Sequence, residues 1–150
     1  MPIRWLAVSN FDNWEVVEKE HIWGVSERYR NTINKVKIGD SLLIYVSEIR
    51  IGNKILFPVA ITGSFEVTSS VYEDTSKLFS TSNFFEHERY PLRIKLKPLS
   101  FFKHPVEIKS LIPKLKFITN KIRWNGHIRG KAMRVIPEED YELILKMGSN

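Results

Sequence analysis

A chain of 150 residues suits one compact domain, 1–150, and is short for two. Hydrophobic residues make up 43% and aromatics 12%, enough for a true core, while Lys and Arg total 23 against 17 Asp and Glu; the net charge of +6 favours polyanionic partners such as nucleic acid. With no cysteine there are no disulfides, cysteine nucleophiles or thiolate metal sites, and no apolar run approaches the roughly 20 residues that cross a bilayer as a helix.

Residues 3–9 read as a buried strand. Asn10 or Asp12 can cap a helix that carries Trp14, Val16 and Val17 and dies near His21, before Gly24. Ser26 can cap a second short helix in which Tyr29, Ile33 and Val36 share a face. Gly39-Asp40 makes a turn into a β-branched and aromatic strand over 42–46, and Gly52-Asn53 between apolar arms signals a hairpin. A long strand is expected over 55–69, with Pro58 marking an edge and Gly63 a bulge or bend.

The pattern fails over 71–89, a long loop that holds Tyr72, Phe79, Phe84 and Phe85 among small polar residues; ordered loops of this length are usually functional. From Leu92 the stretch LRIKLKPL alternates apolar and basic residues, as a half-exposed strand does. A short helix ends at Pro113, AMRVI is the last strand, and Pro137 with Glu138 and Glu139 begins a C-terminal helix through Tyr141, Ile144 and Leu145. The sum is an α+β domain: a mixed, mainly antiparallel β-barrel of five or six strands with short flanking helices.

Catalytic and metal chemistry is hard to place. His21, His87, His104 and His127 share no helical spacing, and EHER at 86–89 is better read as a solvated charge run than as a metal site. No glycine-rich phosphate loop and no G-x-S-x-G elbow is present, and Glu138 and Glu139 favour a helix dipole rather than acid–base work. No catalytic residue, metal or cofactor is assigned. MPIRWLAVSN has too short an apolar stretch and no cleavage site for a signal peptide, so a cytoplasmic protein with no membrane contact is expected, most simply a monomer.

The order of these stretches resembles the EVE domain family, a PUA-like barrel related in fold to the YTH readers of methylated RNA. The match is carried by RWLAVSN, IWGVSER, KIGDSLLIYVS, VYED, YPLRIKLKPL, FITNK with RWNG, Arg129-Gly130 and PEEDY, and covers nearly the whole chain. It implies a non-catalytic module that holds a modified nucleobase of DNA or RNA, methylation being the modification expected, in an aromatic-lined pocket. It places Asn10 and Trp23 at that pocket, with Ser26 able to hydrogen-bond a base edge. Where the YTH pattern has a second tryptophan, this chain offers Tyr72, Phe79, Phe84, Phe85 and Tyr90, and the choice among them stays open.

Physical chemistry supports such a site. A flipped or single-stranded base needs rings to stack on, worth ~1–3 kcal/mol per base, and a few polar groups for its edge. Gly24 beside Trp23 would let a ligand approach the ring closely. Arg28, Arg30, Arg93, Lys95, Lys97, Arg123 and Arg129 are candidate phosphate contacts. Trp5 and Trp14 read as core, Trp124 as either pocket or packing, and Arg93, Lys95 and Lys97 equally as a wet strand face. Two other functions remain open: a general RNA-binding domain without modified-base discrimination, and a small amidohydrolase or nucleoside-acting enzyme, which would need a lysine, threonine and glutamate set.

Overall fold

In chain order the computed structural model contains β1 (Arg4–Ser9), α1 (Phe11–Glu20), β2 (Ile22–Val25), a 3-10 turn (Glu27–Tyr29) leading into α2 (Arg30–Ile33), β3 (Ser41–Val46), β4 (Ile49–Ile51) and β5 (Lys54–Phe57). There follow β6 (Ala60–Val67), β7 (Tyr72–Glu73), β8 (Leu92–Glu107), α3 (Ile108–Leu111), 3-10 turns at Ile112–Lys114 and Trp124–His127, β9 (Met133–Ile136) and α4 (Glu138–Gly148). The structure describes residues 2–47, 49–57, 59–79, 89–128 and 132–148.

Seven strands form one curled sheet in the order β2-β8-β6-β3-β1-β9, with β7 also paired to β8. The β1–β3 pair is parallel, Arg4 opposite Ser41 and Ser9 opposite Val46, while β9, β6, β8, β2 and β7 join antiparallel. The result is the expected mixed, mainly antiparallel α+β architecture, closed as far as a half-barrel. Hairpin β4–β5 stands apart as a two-stranded sheet, with Gly52 at φ +62 in its turn.

Side-chain alternation along β1 and β3 divides the interior in two. Trp5, Ala7, Leu42 and Ile44 face one cluster, which Trp14 and Val17 of α1 complete. Leu6, Leu43 and Tyr45 face the other, covered by Leu111, Tyr141 and Ile144 of α3 and α4. Trp5 and Trp14 are therefore core, as expected. Trp124 packs against the second cluster from its edge.

Local chemistry explains the ends. The Asn10 side chain accepts from the Asn13 N–H at 2.8 Å and caps α1, and His21 closes that helix with a left-handed φ of 58°. Asp40 does more than turn the chain. Its buried carboxylate accepts from the Ile3 and Lys37 N–H groups and from Trp5 Nε1, each at 3.0 Å, so it ties the start of β1 to the turn before β3. Asp140 likewise accepts from the Lys116 and Phe117 N–H groups and fixes α4.

Four expectations change. The IWGV stretch, for which no element is expected, is the edge strand β2. The strand expected over 55–69 is two strands, β5 and β6, in separate sheets; Pro58 itself lies outside the described residues. Tyr72–Glu73 forms a short strand inside the expected loop. β8 runs to 16 residues, well past the LRIKLKPL alternation, because bulges let it bend. Gly63 sits at such a register shift, where an added Cβ would stand 2.8 Å from the Ser100 carbonyl oxygen.

Candidate functional site

The first part of β8 lies between β2 and β7. Trp23 is opposite Ile94 and Gly24 opposite Arg93, while Tyr72 of β7 is also opposite Arg93. Because successive residues of a strand face opposite ways, Trp23 and the Gly24 position look to opposite sides of this ladder.

On the Gly24 side the candidate residues converge. Phe79 is buried, and its ring meets Tyr90 edge-on with centroids 5.9 Å apart. A Cβ at Gly24 would fall 2.8 Å from Phe79 Cε2, 3.1 Å from the Tyr90 oxygen and 3.2 Å from Arg93 Cγ. The absent side chain thus makes room for Phe79, Tyr90 and Arg93. Tyr90 holds a left-handed φ of 50°, uncommon outside glycine.

Arg93 differs most from expectation. Only 1% of it is exposed. Its Nε donates to the Tyr90 carbonyl at 3.1 Å, Nη1 to Ser76 Oγ at 3.1 Å, and Nη2 to the carbonyls of Ser76 and Arg89. The guanidinium carbon lies 5.5 Å from the Phe79 ring centroid, and Nη1 is 3.5 Å from Asp74. Arg93 is a buried clasp holding residues 74–76 to 89–90, not an open phosphate contact. The backbone and hydroxyl hydrogen bonds from Ser76, aided by Arg93, hold the Asp74 carboxyl below the usual carboxylate range.

Other cations divide in the same way. Arg30 is bound by Glu27 and by Glu73 of β7, hydrogen bonds that raise its pKa further above the ordinary arginine value and occupy the guanidinium. Arg28 is exposed, with its guanidinium 5.3 Å from the Tyr29 ring centroid. Lys95 and Lys97 are exposed on β8, and Lys95 Nζ stands 6.0 Å from the centroid of Tyr72, whose hydroxyl pKa burial raises. Arg123 is exposed on the far loop. Phe84, Phe85 and Arg129 lie outside the described residues, as does most of EHER. Among the described residues no three His, Asp or Glu side chains are grouped to hold a metal, and no helix is long and apolar enough to cross a membrane.

Trp23 keeps one unusual feature. It is 4% exposed and packed in the first core cluster, yet its Nε1–H is buried with no hydrogen-bond partner among the described residues. A buried tryptophan normally finds an acceptor, and an unpaired donor costs ~1–3 kcal/mol. Ser26 is buried one residue beyond β2, and its carbonyl accepts from the Tyr29 N–H at 3.0 Å; its hydroxyl does not cap the following turn. Asn10 is exposed, with its side-chain oxygen used as the α1 cap.

Comparison with known proteins extends this picture. The sequence matches the EVE domain over residues 4–147. A UPF0310 protein of Pyrococcus abyssi is 47% identical over 140 residues, covering 93% of this chain and 95% of that protein. A second, from Pyrococcus horikoshii, is 43% identical over 95% of this chain and 97% of its own. Among solved structures, human THYN1 in complex with DNA containing 5-methylcytosine superposes with a TM-score of 0.65 at 15% identity, covering 99% of this chain and 98% of that one. The YTH domain-containing protein mmi1, in complex with RNA, gives a TM-score of 0.56 at 9% identity, over 97% of this chain and 81% of that one. At such identities these two speak to the fold alone. With a family match spanning nearly the whole sequence and relatives above 40% identity, the chain belongs to the EVE domain family.

Proposed function

We propose that this domain is a non-catalytic nucleic-acid-binding module that takes up a modified base beside Trp23. The observation that carries the reading is the unpaired Trp23 Nε1–H. A base carbonyl or ring nitrogen is an acceptor of the right kind, and burying it there would recover the cost of the orphan donor. Support comes from two structural relatives, one bound to methylcytosine DNA and the other to RNA, and from the net positive charge.

Trp23 is buried, so a base that stacks on it requires an opening step. The apparent affinity is then reduced by the fraction of molecules already open. A methyl group contributes modestly by comparison, ~0.8 kcal/mol per buried carbon, or about fourfold in affinity.

Fluorescence anisotropy with matched oligonucleotides at fixed salt tests the reading. One set carries 5-methylcytosine or N6-methyladenine, the other plain bases, each as single and double strands. A methylated oligonucleotide bound at least about fourfold more tightly supports a reader. Equal affinities would make this a general nucleic-acid-binding domain, and absence of binding to every oligonucleotide would remove the proposal.

A further inference from the structure

The basic excess of this chain is not spread over the molecule. Residues 108–137 hold eight Lys and Arg and no Asp or Glu, a local charge of +8 against +6 for the whole chain, which leaves the other 120 residues at −2. Some of this charge is occupied: Lys116 pairs with Glu139, and Lys121 Nζ donates to the Ile112 and Leu115 carbonyls at 2.8 and 2.6 Å. Among the described residues of the stretch, Lys109, Lys114 and Arg123 are exposed.

At the tip of this stretch stands Ile122, 91% exposed. A single exposed aliphatic residue is ordinary on a protein surface. Its setting is not ordinary, because the backbone on both sides is pinned. Asn120 Oδ1 accepts from the N–H groups of Ile122 at 3.2 Å and Arg123 at 3.0 Å. The Asn120 N–H donates to His127 Nε2 at 3.1 Å, and the Gly126 and Ile128 N–H groups donate to the carbonyls of Arg123 and Asn125. Ile118 and Ile128, the two feet of the loop, are buried. Ile122 is thus the apolar point of a stiff post, with the Lys121 stem tied down and Arg123 exposed beside it.

We infer that this post is a wedge: Ile122 inserts between stacked bases of a duplex while Arg123 meets the adjacent phosphate. Proteins that kink a duplex insert an apolar side chain such as Phe, Leu, Ile, Met or Pro between base steps, and neighbouring Lys and Arg hold the phosphates. The inference rests on the nucleic-acid reading above and adds to it a second point of contact with the duplex.

The test uses a duplex carrying 5-methylcytosine with 2-aminopurine as its neighbour, whose fluorescence rises on unstacking. The wild-type chain should bind and raise the fluorescence. Ile122→Ser should abolish the rise and weaken duplex binding roughly tenfold. Its affinity for the single strand and its melting temperature should be unchanged, and Ile122→Leu should keep the rise. Ile122→Ser with full fluorescence and full duplex affinity overturns the wedge while leaving the module reading intact. Wild-type protein that sediments with phosphatidylserine vesicles but ignores the duplex also overturns it, and assigns the loop to lipid surfaces. Binding to neither duplex nor single strand fails both readings.

Discussion

Gly24 lies directly opposite Arg93 in the β2–β8 ladder, and the volume a side chain would need at Gly24 is already held by the Phe79 ring. Gly24 beside Trp23 therefore serves packing. Gly24→Ala should destabilise by about 1–3 kcal/mol, since the new methyl meets Phe79 Cε2 and the Tyr90 carbonyl within contact distance. Adding Phe79→Leu should return part of that loss, a coupling of ~0.5–3 kcal/mol in a double-mutant cycle read by urea denaturation. Strict additivity of the two substitutions would show that the ring is not what glycine accommodates.

Arg93 should be needed for folding rather than for salt-dependent binding. Arg93→Met leaves the carbonyls of Ser76, Arg89 and Tyr90 without this donor, and a loss of about 1–3 kcal/mol is expected, the cost of leaving polar groups unsatisfied. Arg93→Lys should recover little, because a compact ammonium does not reproduce the planar fork that reaches all three carbonyls. A folded, stable Arg93→Met protein whose salt slope falls by one contact would return Arg93 to the phosphate set.

These two cases show what the sequence could and could not carry. Elements set by short-range chemistry are legible: a helix cap at Asn10 or Asp12, which the structure gives to Asn10, the Gly52-Asn53 hairpin, a bulge or bend at Gly63, and the Pro137 start of α4. The resemblance carried the family. Arg93 was misplaced because alternation in LRIKLK makes positions 93, 95 and 97 equivalent. Lys95 and Lys97 are exposed as expected, but residues 76–79 and Tyr90 fold over Arg93 from elsewhere in the chain. Strand β2 is not legible because four residues containing a glycine carry almost no period, and their partner lies about 70 residues away. For Ile122 the sequence carries one clue, an isoleucine between two cations inside an acid-free stretch.

Salt dependence should separate the cations. Arg123→Gln should lower the slope of log affinity against log salt by ~0.9 on duplex DNA, or ~0.7 on a single strand. Arg30→Gln should leave it unchanged, because Glu27 and Glu73 already hold that guanidinium. The reverse pattern would move the nucleic acid to the α2–β7 side.

Acid should weaken the fold through three carboxyls. Hydrogen bonding to Arg30 lowers the pKa of Glu27, hydrogen bonding to Arg4 lowers that of Glu138, and Ser76 lowers that of Asp74. Each folded value lies below the unfolded one, near 4, so the unfolded chain binds protons first as pH falls. Their contribution is fully present above about pH 5 and is lost as pH drops through the folded values. Urea midpoints measured from pH 6 to pH 2 should fall across that window, and Glu138→Gln should flatten the fall. All three groups are largely exposed, so the change should be modest.

Trp23 offers the sharpest separation of packing from binding, through two replacements. Trp23→Ala removes a large buried ring from the first core cluster and should cost about 3–5 kcal/mol, so its loss of binding would be uninformative. Trp23→Phe keeps an aromatic surface and removes the Nε1–H that has no partner among the described residues. The smaller ring leaves a gap, which destabilises, but the orphan donor disappears, which stabilises by ~1–3 kcal/mol. The two effects oppose, and the melting temperature of Trp23→Phe should stay close to that of the wild type. Binding behaves differently. If a base acceptor engages Nε1–H, the phenylalanine variant loses that hydrogen bond with nothing gained in return, and affinity for the preferred oligonucleotide should fall about tenfold at fixed salt. Stability and affinity measured on one preparation decide the matter: a near-native melting temperature with weakened binding assigns the indole N–H to the ligand. Unchanged binding in a stable Trp23→Phe protein would mean that the base, if one is held, is recognised elsewhere.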